Sequence, residues 1–195
     1  MSVLRARPAR GPLLALLAWL ALAAPTRADE AAAWAALRQD GVVALMRHGE
    51  APGVGDPPGW RLSDCPSQRN LSERGRAEAR AVGARLRSEG IAIGRVVSSP
   101  WCRCLDTATL VDAGAVEVEP TFANAFVLSE QRAALREGGR ALLGRWRGPG
   151  VLLVVTHGEN IAALTGTSLA PAEIDVVAVG GDDGALRVIG SLAAR

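Results

Sequence analysis

Only two histidines occur in this 195-residue chain, and each closes an apolar run with the same His-Gly-Glu tripeptide. The first run is Val42-Val-Ala-Leu-Met-Arg-His-Gly-Glu50, the second Val151-Leu-Leu-Val-Val-Thr-His-Gly-Glu159. Each reads as a buried strand ending in a sharp turn, with an imidazole at its tip and Arg47 beside the first. Imidazole changes charge near neutral pH and serves as nucleophile, proton carrier or anion partner. Two strands that deliver His48 and His157 to their carboxyl ends imply one site made of two halves, because open α/β sheets bind ligands at that edge.

The elements between the runs fit such a sheet. Residues 29–40 are Ala-rich, with Trp34 and Leu37, and predict a covering helix. Residues 51–70 are rich in Pro, Gly and Asp; a loop of that length is uncommon in a compact domain and often functional. Trp60 is its residue best able to touch a ligand, with packing against the core as the other reading. Ser72 caps a helix that carries Ala79, Val82 and Leu86 on one face and stops at Gly90. A second strand covers about 95–98. Ser99-Pro100 then supplies an N-cap and first helical position, which puts Arg103 in the first turn of a helix over about 100–111. A short strand is expected near 116–118, a helix over 129–146 and another short helix from Asn160. Residues 175–179 and 186–191 alternate around a Gly/Asp turn and predict an edge hairpin.

The first 28 residues read as a secretory leader: Arg5, Arg7 and Arg10, an apolar run over 13–24, and Thr26-Arg27-Ala28 as cleavage site. The run falls short of the roughly 20 residues that span a bilayer. Its removal takes four Arg and no acid, so the net charge goes from +2 to −2. No basic surface for nucleic acid is left, and no membrane span after the leader. Lysine is absent from the chain, which excludes a lysine Schiff base or a phosphate-loop lysine. Three cysteines in an exported protein allow one disulfide. Cys104 falls on the apolar stripe Cys104/Ala108/Val111, so Cys65–Cys102 is preferred over Cys65–Cys104, with three free thiols as the alternative. No metal-ligand spacing is present.

Four segments together carry a resemblance: Met46-Arg47-His48-Gly49-Glu50, Asn70-Leu71-Ser72-Glu73-Arg74-Gly75, Ser98-Ser99-Pro100-Trp101-Cys102-Arg103 and Val155-Thr156-His157-Gly158. In this order they resemble the histidine phosphatase superfamily, the group of phosphoglycerate mutase-like phosphatases and histidine acid phosphatases. The resemblance implies that His48 takes the phosphoryl group, while Arg47, Arg103 and His157 hold its oxygens. Elementary chemistry agrees. Phosphoryl transfer needs positioning and charge stabilisation, and guanidinium forks fit phosphate. Neighbouring strands are about 4.8 Å apart, so the two imidazoles could flank one phosphate. Gly49 and Gly158 would leave room for close backbone approach.

A proton donor for the leaving group is also needed. The mutase-type Glu motif is not recognisable between Glu117 and Trp146. His157-Gly158-Glu159 resembles family members with an acid just after the second histidine, so Glu159 is the first candidate acid and Glu130 the second. Glu159 could instead serve as a helix N-terminal carboxylate. Glu50 is read as orienting a neighbour, and Asn124 as a polar contact.

The reading is therefore a secretory leader (1–28) and one histidine phosphatase-like domain (29–195). Its fold is a three-layer α/β/α sandwich with a mostly parallel central sheet and a C-terminal edge hairpin. The expected activity is metal- and cofactor-independent hydrolysis of an extracytoplasmic phosphomonoester, in the periplasm, with a sugar phosphate or envelope glycolipid phosphate as substrate and inorganic phosphate as product. The alternatives are a non-catalytic phosphate-binding envelope protein and a phosphohistidine-protein phosphatase.

Overall fold

The computed structural model describes residues 27–180 and 185–194. The leader reading at 1–28 falls almost wholly outside the described residues, as does the hairpin tip at 181–184. In chain order the elements are α1 (Arg27–Leu37), β1 (Val43–Arg47), α2 (Glu73–Ser88), β2 (Ile93–Ser98), α3 (Cys102–Val111), β3 (Val116–Val118), α4 (Arg132–Gly144), β4 (Val151–Thr156), α5 (Gly158–Thr165), β5 (Ile174–Val179) and β6 (Leu186–Leu192).

The strands form one sheet in the order β3-β2-β4-β1-β5-β6. The first four are parallel; β5 runs antiparallel to β1, and β6 pairs antiparallel with β5 as the edge hairpin. Period-two alternation sends Ala44 and Met46 to one face, with Trp34, Leu37, Ala79, Val82, Leu86 and Ala108. Val43 and Leu45 go to the other, with Phe122, Leu143 and Ile161. Thus α1, α2 and α3 cover one face and α4 and α5 the other, completing the three layers. Both faces of β4 are covered, which is why its run Val151–Val155 is apolar without interruption. Leu152 and Leu153 are fully buried, each contributing about 2 kcal/mol by burial.

Several expected boundaries move. Helix α2 starts as predicted, its Ser72 Oγ accepting from the Gly75 N–H at 3.0 Å. Helix α3 begins at Cys102, with Trp101 as N-cap, so Ser99-Pro100 is not its start. The first-turn N–H of Cys102 is taken instead by Gln68 Oε1 from the long loop, at 3.0 Å. The 129–146 helix divides into a 3-10 turn, Ser129–Gln131, and α4. Gly138 and Gly139 do not break α4; they sit where Thr121 and Phe122 press against it. Helix α5 starts two residues before the expected Asn160, directly after His157. Cys65 and Cys102 form the disulfide. Cys104 is free and buried, and burial pushes its thiol up to about 12. Among the described residues no helix is long and apolar enough to cross a membrane.

Candidate active site

Strands β1 and β4 are parallel neighbours, with Arg47 level with Thr156. The next residues are the two histidines. The His48 N–H donates to the Thr156 carbonyl at 3.0 Å, which continues the ladder by one step. The rings therefore meet edge to face, with centroids 5.5 Å apart and planes at 69°. Both line a cavity of about 360 Å³ at the carboxyl edge of the sheet.

The protonation state of His48 follows from its surroundings. Its Nδ1 lies 2.7 Å from the Gly49 carbonyl oxygen. A carbonyl only accepts, so Nδ1 carries the proton and Nε2 keeps its lone pair. Burial, reinforced by the charges of Arg103, Arg69 and Arg47 and opposed by the Gly49 hydrogen bond, lowers the ring's pKa to about 3. His157 is pulled well below its ordinary value by burial first, then by His48 and the same three arginines. Its Nε2 lies 2.8 Å from Ser99 Oγ, and Cys104 Sγ lies 3.6 Å from the same nitrogen. Ser99, read from sequence as a helix cap, is in fact a partner of His157.

The glycine after His48 has a different reason from the one expected. A Cβ on Gly49 would lie 2.4 Å from the Gly75 carbonyl oxygen, so it is the start of α2, rather than a ligand, that requires glycine there. A Cβ on Gly158 would lie 3.4 Å from Arg47 Nε, so this glycine makes room for that guanidinium.

Three guanidiniums surround the histidines, in unequal situations. Arg47 lines the cavity; its Nη1 donates to the Leu169 carbonyl at 2.6 Å, its Nε has no partner among the described residues, and burial lowers its pKa. Arg69 also lines the cavity, with Nε donating to the Gly55 carbonyl at 2.8 Å and Nη1 to that of Ala51. Arg103, expected on the phosphate, is not among the lining residues. It is fully buried and forked onto Asp56, at 2.8 and 3.4 Å. The cation expected from the motif is present: Asp56 from the long loop takes its two terminal nitrogens, its buried Nε has no partner among the described residues, and its charge comes first among the arginines acting on both histidines.

Glu159 stands in the first turn of α5 and is, among the described residues, the only carboxylate lining the cavity. Its Oε1 lies 3.4 Å from Arg132 Nε, and its side chain is 38% exposed. Glu130 is exposed on the 3-10 turn and does not line the cavity. Glu50 accepts a hydrogen bond from Ser72 Oγ, so it orients the start of α2. Asn124 is buried on the lining, its Oδ1 accepting from the Phe126 N–H at 3.1 Å. Asn160 holds that loop through the Ala123 carbonyl and the Ala125 N–H. Trp60 packs on Trp101, with centroids 5.2 Å apart, and does not line the cavity. The mouth is apolar: Val54 and Phe126 line it at 89% and 53% exposure. Among the described residues no group of three or more His, Cys, Asp or Glu could hold a metal ion.

Sequence reasoning missed Arg69, Asp56 and Ser99. Arg69 directly precedes a motif that was recognised, and that adjacency was the available signal. Nothing in the sequence pattern pairs Asp56 with Arg103.

The arrangement offers a neutral imidazole with Nε2 unprotonated, a second imidazole, guanidiniums and one carboxylate around an anion-sized space. The family model of the histidine phosphatase superfamily (branch 1) matches residues 43–127. No curated protein matches the sequence. Among solved structures, the protein histidine phosphatase SixA complexed with tungstate is similar at 24% identity, over 78% of this chain and 97% of its own, with a TM-score of 0.52. A phosphoserine phosphatase from Entamoeba histolytica in complex with 3-phosphoglyceric acid is similar at 14% identity, over 78% and 96%, with a TM-score of 0.54. A mycobacterial glucosyl-3-phosphoglycerate phosphatase is similar at 19% identity, over 70% and 89%, with a TM-score of 0.51. At these identities the likeness is one of fold.

Proposed function

We propose that this chain, a member of the histidine phosphatase superfamily, is a phosphomonoesterase that works through phospho-His48 without a metal ion. The observation that carries the reading is the state of His48: neutral, with Nδ1 held by the Gly49 carbonyl and Nε2 free beside His157. The Nε2 lone pair attacks phosphorus while the bond from phosphorus to the ester oxygen breaks. The leaving oxygen takes a proton from the Glu159 carboxyl group. Water then attacks phospho-His48, Glu159 takes a proton from it, and inorganic phosphate leaves. Arg47 and His157 face the oxygens where charge gathers.

The substrate in this reading is extracytoplasmic. Two features support that: the leader-like residues 1–28 and a disulfide, a bond that persists in oxidising compartments. Sugar phosphates and envelope glycolipid phosphates are the candidates, and the apolar mouth at Val54 and Phe126 favours the second. A phosphohistidine protein, the substrate type named for SixA, fits export less well. A non-catalytic phosphate-binding protein is the second reading, favoured by the ion pair that engages Glu159 with Arg132.

The test is hydrolysis of p-nitrophenyl phosphate by residues 29–195 with a chelator present, from about pH 5 to 8, the range in which imidazole ordinarily titrates. Turnover is expected to survive the chelator and to fall in His48→Ala by a factor on the order of 10⁴. Turnover that persists in His48→Ala would remove the phosphohistidine step. No turnover together with retained phosphate binding would favour the binding protein.

A further inference from the structure

We infer that Val54 and Phe126 form an apolar clamp for the alcohol part of the ester, and that the substrate is an amphiphilic phosphomonoester whose alcohol is apolar within a few bonds of the phosphorus. The inference rests on the phosphatase reading and narrows the substrate class of the same pocket.

Four large apolar side chains stand exposed among the described residues: Val54, Leu62, Val118 and Phe126. Leu62 and Val118 do not line the cavity, and single exposed apolar residues are ordinary on a protein surface. Val54 and Phe126 line it together with Arg47, His48 and His157. They come from different loops, yet the loops meet. A Cβ on Gly55 would lie 3.8 Å from Phe126 Cε1, so the turn that carries Val54 packs beside the Phe126 ring. Two adjacent apolar groups on the rim of a pocket mark a ligand contact.

Both are held out by pinned backbone. Val54 sits between Gly53 and Gly55, whose φ angles of 90° and 70° glycine adopts without steric cost. Arg69 ties the two ends of this turn, Nε donating to the Gly55 carbonyl at 2.8 Å and Nη1 to that of Ala51. Directly after the turn, Asp56 Oδ1 accepts from the Arg69 N–H at 3.0 Å. Phe126 has support of the same kind. Its N–H donates to Asn124 Oδ1 at 3.1 Å, and the Ala125 N–H donates to Asn160 Oδ1 at 3.2 Å. Folding Val54 inward would break the Arg69 ties. The apolar rim is therefore set before a ligand arrives, and a ligand that covers it meets little ordering cost.

The cavity of about 360 Å³ leaves room for an organic group beside the phosphoryl group. With phosphorus at His48 Nε2, the alcohol extends towards the mouth, where Val54 and Phe126 stand. A free sugar would set hydroxyl groups against these side chains and give up water without a hydrogen bond in return. An alkyl or acyl-bearing alcohol buries apolar surface there instead.

The experiment has two arms. Calorimetry measures the affinity of straight-chain alkylphosphonates, from methyl to octyl, below the concentration at which they form micelles. These carry the anion and the chain but no ester bond. Affinity should rise about two- to fourfold per methylene over the first few, the upper figure being full burial of each CH₂. In Val54→Ser/Phe126→Ser the octyl-to-methyl affinity ratio should fall about tenfold or more; Phe126→Leu should keep most of it. The second arm compares kcat/KM for octyl phosphate and glycerol phosphate, and the same double variant should lower that ratio to a similar degree. A flat phosphonate series in the parent would overturn the inference, as would a chain-length ratio that the double variant leaves unchanged. A rising series with no turnover of any ester, p-nitrophenyl phosphate included, would support the clamp and remove the phosphatase reading. Turnover with a flat series would do the reverse.

Discussion

The two imidazoles and the arginine wall that faces them are held by different means. His48 and His157 stand at the ends of adjacent strands, and the parallel ladder from Val43/Leu152 to Arg47/Thr156 sets their separation. Many small, regular bonds share that task. Arg69 stands on a loop with little repeating structure. Its place depends on a few concentrated ties: the Asp56–Arg103 pair, the Cys65–Cys102 disulfide and the Gln68 contact to the start of α3. A distributed frame should tolerate single changes better than a concentrated one.

That contrast orders the expected effects. Asp56→Ala should be the most damaging single substitution in the pocket's surroundings. It leaves Arg103 as a buried cation without a counter-charge, which costs about 3–5 kcal/mol, measurable by urea unfolding. A loss below about 1 kcal/mol, the level of an exposed pair, would mean that solvent reaches the pair and that the loop is not concentrated as described. Next comes Cys65→Ser/Cys102→Ser. The bridge closes a segment with a sequence separation of 37, and removing it should lower stability by about 2–4 kcal/mol. KM should rise more than kcat falls, because the change reaches the arginine wall before it reaches His48. A fall in kcat at unchanged KM would contradict that order.

The strand frame is challenged by Gly49→Ala. The new methyl would meet the Gly75 carbonyl at 2.4 Å and push α2 away from the β1 tip. Overpacking of this kind costs about 1–3 kcal/mol, and the ladder below should keep the histidines together. A loss larger than that of Asp56→Ala would show that the strand tips depend on a single contact after all.

The same contrast explains what could be read from sequence. The strands, the hairpin, the Ser72 cap and the pairing of the two histidine turns follow local periodicity, and β4 was legible to the residue. Cys104 was legible as buried because it lies on a helical stripe with Ala108 and Val111. Asp56 and Arg103 lie 47 residues apart and meet through a loop without a repeat, so no periodic signal joins them. Ser99 carried a correct signal for a loop-to-helix junction, yet its hydroxyl is hydrogen-bonded to His157 while Gln68 serves the helix. For Trp60 the sequence allows both a ligand contact and packing against the core, and the buried face of Trp101 decides for packing.

The smallest expected effect is an absence of change, and it tests the strand frame most closely. With a pKa of about 3, His48 should stay neutral throughout the range in which a free imidazole titrates. Its nitrogen shifts, followed by NMR, should report a protonated Nδ1 and a bare Nε2 from pH 8 down to about 4, roughly 2.5 units below the ordinary imidazole midpoint. The sign of the linked stability change follows. The unfolded chain binds a proton at this residue near pH 6.5, and the folded chain does not until near 3. The contribution of neutral His48 to stability is therefore complete above the unfolded value and is lost as pH falls towards 3, by up to about 1.4 kcal/mol per unit. His157, depressed for the same reason, adds to the slope in the same direction. An NMR midpoint between about 5.5 and 7, inside the ordinary imidazole range, would mean that water reaches Nε2 freely in the empty pocket. The ladder would then position the histidines without desolvating them, and the arginine wall would have to keep His48 neutral by charge alone.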